Sequence, residues 1–192
     1  MQLGLVDPIV DGQRVLRAVL EAMARPGRVL AVTGPVESPV PLDPATTAVC
    51  LALIDLDTPL WLDAAAASPA VLEYVGFHCG APLAAGPSSA RFAVVADPAA
   101  MPPLDAFEAG DDEEPERSAT LIVQVGGFQT GVGRRLRGPG IQGDAWLGVP
   151  GLPPAFWNEL RDNHMSFPRG VDVILAAGHQ IAALPRSTRV ED

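Results

Sequence analysis

The chain has 192 residues, enough for one domain with a core of its own, and 48% apolar residues exclude a largely disordered chain. Its formal net charge of −10, with few basic residues and no aromatic–basic interleaving, speaks against nucleic-acid binding. The longest aliphatic run, Ala48–Ile54, is far too short for a membrane span. Asp7 and Asp11 stand where a secretory leader needs basic and then apolar residues. Only Cys50 and Cys79 are present, too few for a disulfide scaffold, so the expected compartment is a reducing cytoplasm.

Along the chain, Asp11 is placed to cap a helix running to about Ala24, with Val15, Leu16, Val19, Leu20 and Met23 as its apolar stripe. Arg25-Pro26-Gly27 stops that helix, Arg28–Val32 alternates like a strand, and residues 33–42 form a proline-rich loop. Asp43-Pro44 starts a second helix, apolar nearly all round through Ile54 and therefore buried. A turn at residues 55–59 leads into a short strand, Leu60–Leu62, and Ser68-Pro69 opens a helix that reaches about Phe77 and closes at Gly80. Arg91–Ala96 reads as a strand, followed by a weak helix and an acidic loop. Ala119–Val125 is a β-branched strand, and Gly126–Gly133 reads as a turn into an arginine segment. Pro154–His164 fits a helix, Val171–Ala177 a strand, and Gly178-His179 turns that strand into Gln180–Leu184 as a hairpin. Helices and strands alternate from end to end, so a single α/β domain over residues 1–192 is expected, with a mixed sheet and helices on both faces.

Charge is unevenly placed. Asp105, Glu108, Asp111, Asp112, Glu113, Glu114 and Glu116 supply seven of the 23 acids with no base among them. That run reads either as a solvated loop or as a docking strip for a basic partner. All 13 basic residues are arginine, so neither a Schiff base to pyridoxal phosphate nor a Walker-type phosphate-binding lysine can form. Arg134, Arg135 and Arg137 lie together between glycines, a pattern that suits a carboxylate or phosphate as well as it suits a charged edge strand.

Other candidates are weaker in spacing. His78-Cys79 has no third or fourth ligand at metal-binding distance in sequence, so no metal is expected, and adjacent residues rarely form a Cys–His nucleophile. His78 fits better as a polar group at a helix C-terminus that bonds a carbonyl or a ligand. Asp55 and Asp57 read either as an acid–base pair or as ordinary turn formers before Pro59. Neither G-x-G-x-x-G nor G-x-S-x-G occurs between a strand and a helix. Three arginine-bearing loops beside proline and glycine or serine remain, at Arg25-Pro26-Gly27, Phe167-Pro168-Arg169-Gly170 and Pro185-Arg186-Ser187.

These segments also carry a family resemblance. Ala22-Met23-Ala24-Arg25-Pro26-Gly27, residues 53–62 (Leu53-Ile54-Asp55-Leu56-Asp57-Thr58-Pro59-Leu60-Trp61-Leu62) and Phe77-His78-Cys79-Gly80-Ala81-Pro82 form its first half. Ser118-Ala119-Thr120-Leu121, Leu136-Arg137-Gly138-Pro139-Gly140-Ile141, Asn163, Phe167–Leu175 and Ala183-Leu184-Pro185-Arg186-Ser187-Thr188 complete it. In order and spacing the set resembles the PhnH family, the H subunit of the carbon–phosphorus lyase core complex. The resemblance implies a three-layer α/β sandwich similar to the large domain of pyridoxal-phosphate-dependent transferases without the cofactor. It implies a cytoplasmic homodimer working with subunits G, I and J and an ATP-binding-cassette protein. The step implied joins an alkylphosphonate to the ribose C1 of ATP with loss of adenine, ATP being a substrate of the complex rather than a cofactor of this chain. On this reading Arg25, Arg137 and Arg186 contact phosphonate, triphosphate or an acidic partner surface, and His78 and Asp172 orient them. The alternatives are a stand-alone acid–base enzyme using Asp55, Asp57 and His78, and a scaffolding subunit without a ligand pocket.

Overall fold

A computed structural model describes residues 3–191. Its first half comprises α1 (Pro8–Ala24), β1 (Leu30–Ala31), α2 (Pro44–Leu53), β2 (Leu60–Leu62), α3 (Pro69–His78) and β3 (Phe92–Val95). Then come β4 (Thr120–Gln124), β5 (Gln129–Arg137), β6 (Ala145–Gly148), α4 (Pro154–Met165), β7 (Asp172–Ala177), β8 (Gln180–Leu184) and β9 (Arg189–Glu191). A six-stranded sheet has the order β1-β8-β7-β4-β3-β2, and a three-stranded sheet the order β6-β5-β9. In the large sheet β2, β3, β4 and β7 are parallel, while β8 and β1 join antiparallel at one edge, so the sheet is mixed as expected.

The two-residue period of a strand sends neighbouring side chains to opposite faces, and here it builds two cores from one sheet. Leu60, Val94, Ile122, Ile174, Ile181 and Ala183 face a layer made by Val15 and Val19 of α1, Val49 of α2 and Val71 and Val75 of α3. Val95, Leu121, Val123, Val173, Leu175 and Leu184 face the other way, onto Phe156, Trp157 and Leu160 of α4 and Leu136, Leu147 and Val190 of the small sheet. Central strands covered on both faces read as unbroken aliphatic runs, which is why β4 and β7 are the clearest strands in the sequence. The second face differs from expectation: one helix and a small antiparallel sheet share it.

Local chemistry accounts for the remaining differences. The cap of α1 is Asp7, whose carboxylate accepts the N–H groups of Ile9 and Val10 at 3.1 and 3.0 Å. Asp11, expected as the cap, lies inside the helix and accepts the Asp7 N–H at 3.1 Å while pairing with Arg14 at 3.0 Å. Pro8 explains the shift, since proline at the first helical position has no N–H to satisfy. Asp7→Ala should therefore lower stability by about 1 kcal/mol in urea titrations, more than a substitution at exposed Asp57. The strand expected over Arg28–Val32 is reduced to Leu30–Ala31, and the weak helix after β3 is a series of 3₁₀ turns at Pro98–Ala100, Leu104–Ala106 and Pro115–Arg117. The turn expected at Gly126–Gly133 ends early, because β5 begins at Gln129. Glycine there marks a bulge: pairing with β6 shifts between Thr130 and Arg134. Gly133 sits at φ +101°, where a Cβ would stand 2.4 Å from the Gly148 Cα.

Candidate functional site

The loops that carry Arg25, Arg137 and Arg186 meet on one side of the molecule. The turn after α1 packs on the loop after β5, where a Cβ on Gly140 would lie 1.8 Å from the Ala24 carbonyl oxygen. That same loop touches the segment between β8 and β9, with the Gly138 Cβ position 2.8 Å from the Ser187 oxygen. A shallow cleft of about 220 Å³ opens between the first two, lined by Arg25, Arg28, Gly140, Gln142 and Asp144 among others. The guanidinium groups in its lining, Arg25 and Arg28, and those beside it, Arg135 and Arg137, are paired rather than idle. Arg25 and Arg28 share the Glu21 carboxylate at 2.9 and 2.7 Å. Arg137 Nε donates to Asp144 at 2.5 Å, and Arg135 reaches both Asp144 at 3.7 Å and Glu191. The hydrogen bond from Arg137 holds the Asp144 carboxyl below the usual carboxylate range, and the same bond raises the Arg137 guanidinium above its ordinary value. Four arginines thus face three carboxylates, so an anion entering the cleft competes with Glu21 and Asp144 for partly exposed cations.

Arg186 is in a different state. Its side chain is 14% exposed, and its five N–H donors all have acceptors. Nε and Nη2 grip the Asp172 carboxylate at 3.2 and 2.6 Å, Nη1 donates to the Pro115 and Pro168 carbonyls at 2.7 and 3.4 Å, and Nη2 also donates to the Ser118 hydroxyl. Asp172 closes the clamp by accepting the Arg186 backbone N–H at 2.9 Å. Residues 115–118, 167–168 and the β8–β9 segment are thereby tied together. Arg186 and Asp172 line a groove of about 370 Å³, but no Arg186 donor is left for a ligand unless the clamp opens.

His78 lies apart from all of these, on the helical face of the large sheet at the last turn of α3. Its ring stacks on Tyr74 at 4.3 Å and meets Phe77 edge-on at 4.9 Å, next to Gly4. The five residues singled out from the sequence therefore form three groups: Arg25 in the lining of one cleft with Arg137 behind it on Asp144, Asp172 with Arg186, and His78.

Asp55 accepts the Asp57 N–H at 3.0 Å and the Thr58 hydroxyl at 3.2 Å, the bonding of a turn. Cys79 caps α3 and is pushed up from the ordinary thiol value of 9.0 to about 11, chiefly by burial and secondarily by Asp55. Burial, and then Cys79, raises Cys50 further. A thiol raised in the folded state favours folding while it is protonated, fully so below the unfolded pKa near 9.0. Unfolding free energy should therefore fall between pH 9 and about 11, and Cys79→Ala should flatten that decline in a pH series of urea titrations. Among the described residues no group of three or more His, Cys, Asp or Glu is arranged to hold a metal ion.

Two residues that the sequence did not single out by role organise the sheet ends. Asp63, buried just after β2, accepts three backbone N–H groups, from Ala66, Ala96 and Asp97, at 2.6–3.0 Å. Asn163 on α4 exchanges both its amide groups with Val171 at 2.8 and 2.9 Å, fixing the entry to β7. An acid directly following an apolar strand was the available signal for Asp63. Nothing local announces a clamp between Asn163 and Val171.

Fold and site together define an α/β protein whose arginine loops are tied by ion pairs, with no nucleophile–base pair assembled among the described residues. The chain belongs to the family of bacterial phosphonate metabolism proteins called PhnH, which matches residues 3–191. It is 37% identical, over 96% of its own length and 92% of the relative's, to the alpha-D-ribose 1-methylphosphonate 5-triphosphate synthase subunit PhnH of Rhizobium meliloti (strain 1021). It is 34% identical, over 93% of its length and 85% of the relative's, to the putative C–P lyase subunit protein HtxG of Stutzerimonas stutzeri. No helix among the described residues is long and apolar enough to cross a membrane.

Proposed function

We propose that this chain is a subunit of a carbon–phosphorus lyase complex and serves the step that joins an alkylphosphonate to the ribose C1 of ATP with release of adenine. The observation that carries this reading is the end-to-end similarity to a named synthase subunit, 37% identical over 96% of the chain. The geometry supports a contributing role rather than solitary catalysis, because the acid, base and thiol candidates are separated, tied into turns or held protonated by burial. The partners on this reading are subunits G, I and J and an ATP-binding-cassette protein, with the chain as a cytoplasmic homodimer. The cleft between Arg25 and Asp144 is its anion-facing surface, where Arg137 acts through the charge it places beside Asp144. Kinship with the large domain of pyridoxal-phosphate-dependent transferases belongs to the same reading, although this lysine-free chain cannot form their Schiff base.

The test is reconstitution. Purified chain is incubated with ATP and methylphosphonate, alone and with the other core subunits, and adenine release is followed. Adenine appearing only in the complete mixture is the expected result. Turnover by the isolated chain would favour a self-sufficient enzyme, and a complete mixture whose activity does not depend on this chain would sink the proposal. Arg137→Ala should weaken either subunit capture or turnover in this system without unfolding the protein.

A further inference from the structure

The groove beside Arg186 has properties that the anion-facing cleft lacks. Its walls are Pro115, Phe167, Pro168 and Pro185, and Phe167 is 59% exposed. Met165, which ends α4 just before it, is 82% exposed. Large apolar side chains so open to water and so close together mark a contact surface. The rim is acidic: Glu116 lines the groove, and the run 105–116 passes along residues 168–170.

That run is built into the body. Glu108 O accepts the Ala119 N–H at 2.7 Å, Ala109 O the Gly170 N–H at 2.8 Å, and Pro115 O the Arg186 guanidinium at 2.7 Å. Its seven carboxylates meet few counter-charges: Arg117 pairs with Glu114 at 2.8 Å and Arg169 with Asp112 at 3.5 Å. Arg186 is spent on Asp172, so it does not offset the rim. Repulsion among fixed like charges is relieved by an approaching cation, and a pre-ordered surface pays little entropy on binding. A triphosphate is repelled by the same field.

We propose that this groove and its acidic rim dock a basic, apolar-tipped segment of another subunit of the complex, the apolar tip covering Phe167 and Met165 and the basic residues meeting the rim. The proposal rests on the functional reading above for the identity of the partner. It gives the two exposed apolar residues and the acidic run a single role.

The experiment is capture of the co-expressed carbon–phosphorus lyase subunits by the tagged full chain. One variant combines Met165→Ser and Phe167→Ser. A second combines Asp111→Asn, Asp112→Asn, Glu113→Gln and Glu116→Gln. Each is expected to weaken capture at least about tenfold with its thermal midpoint close to wild type, as truncation of an anchor or loss of steering charge does. Wild-type capture should fall as salt rises from about 0.05 to about 0.3 M, and the second variant should lose most of that dependence. Should the first variant fail to fold, the second, all at the surface, carries the test. Undiminished capture by both variants overturns the docking proposal and leaves the functional reading standing. A wild-type chain that captures none of the subunits overturns the functional reading and this proposal with it. A variant that changes the mass of the isolated chain in solution identifies a second copy as the occupant and overturns the proposal as well.

Discussion

Arg186→Ala is expected to destabilise the fold by about 2–3 kcal/mol, because it removes a largely buried guanidinium and leaves its partners short of donors. The Asp172 carboxylate loses two of its bonds and keeps the backbone N–H of residue 186. The Pro115 and Pro168 carbonyls and the Ser118 hydroxyl lose the cation that holds them together. Lysine should rescue little, since one ammonium cannot span a carboxylate, a hydroxyl and two carbonyls from a single stem. Chemical denaturation followed by tryptophan fluorescence measures the change. Arg137→Ala is the internal comparison: its pair with Asp144 is exposed, and its loss should leave the denaturation midpoint almost unmoved. Equal midpoints for the two variants would remove Arg186 from the framework and return it to the ligand-binding candidates.

Gly140→Ala should be at least as damaging, at about 3 kcal/mol or more. The residue sits at φ +80°, which costs an alanine about 1 kcal/mol, and the new Cβ would stand 1.8 Å from the Ala24 carbonyl oxygen. A backbone oxygen at a helix end cannot swing aside as a side chain can. The loop must lift off α1, which opens the cleft between Arg25 and Asp144. For a chain of this size the thermal midpoint should drop by about 10 °C. Gly143→Ala separates the two causes: its φ is +81°, but a Cβ there meets nothing within 4 Å, so only the conformational cost applies. If both alanines lower the midpoint equally, the contact with Ala24 contributes nothing.

Both variants act where the arginine loops join, and each has a separate functional reading. Gly140→Ala disturbs the anion-facing cleft, while Arg186→Ala loosens one wall of the apolar groove. Adenine release in the reconstituted mixture and subunit capture should therefore respond differently to the two, if the cleft serves the anion and the groove the partner.

The sequence by itself determined the order of the main elements, because their cause is local. Asp43-Pro44 and Ser68-Pro69 start helices by fixing the backbone at the first turn, and the observed helices begin at Pro44 and Pro69. The run Thr120–Gln124 is a strand buried on both faces, legible as an aliphatic stretch with no polar alternation. Family membership was legible for a similar reason, since short motifs in fixed order survive without reference to folding. The small sheet was hidden. The glycines of β5 serve a bulge yet look like a turn, and β6 and β9 are too short to show a period of their own. Only the tertiary structure decided the fate of the arginines. Arg137 and Arg186 look alike in sequence, each in a loop with proline nearby. One faces water beside Asp144, and the other is enclosed by Asp172, Ser118 and two carbonyls, the farthest of which, at Pro115, lies 71 residues away in the chain. The charge of a guanidinium is set by its chemistry, but the groups that satisfy its donors are set by which distant segments the sheet brings to it.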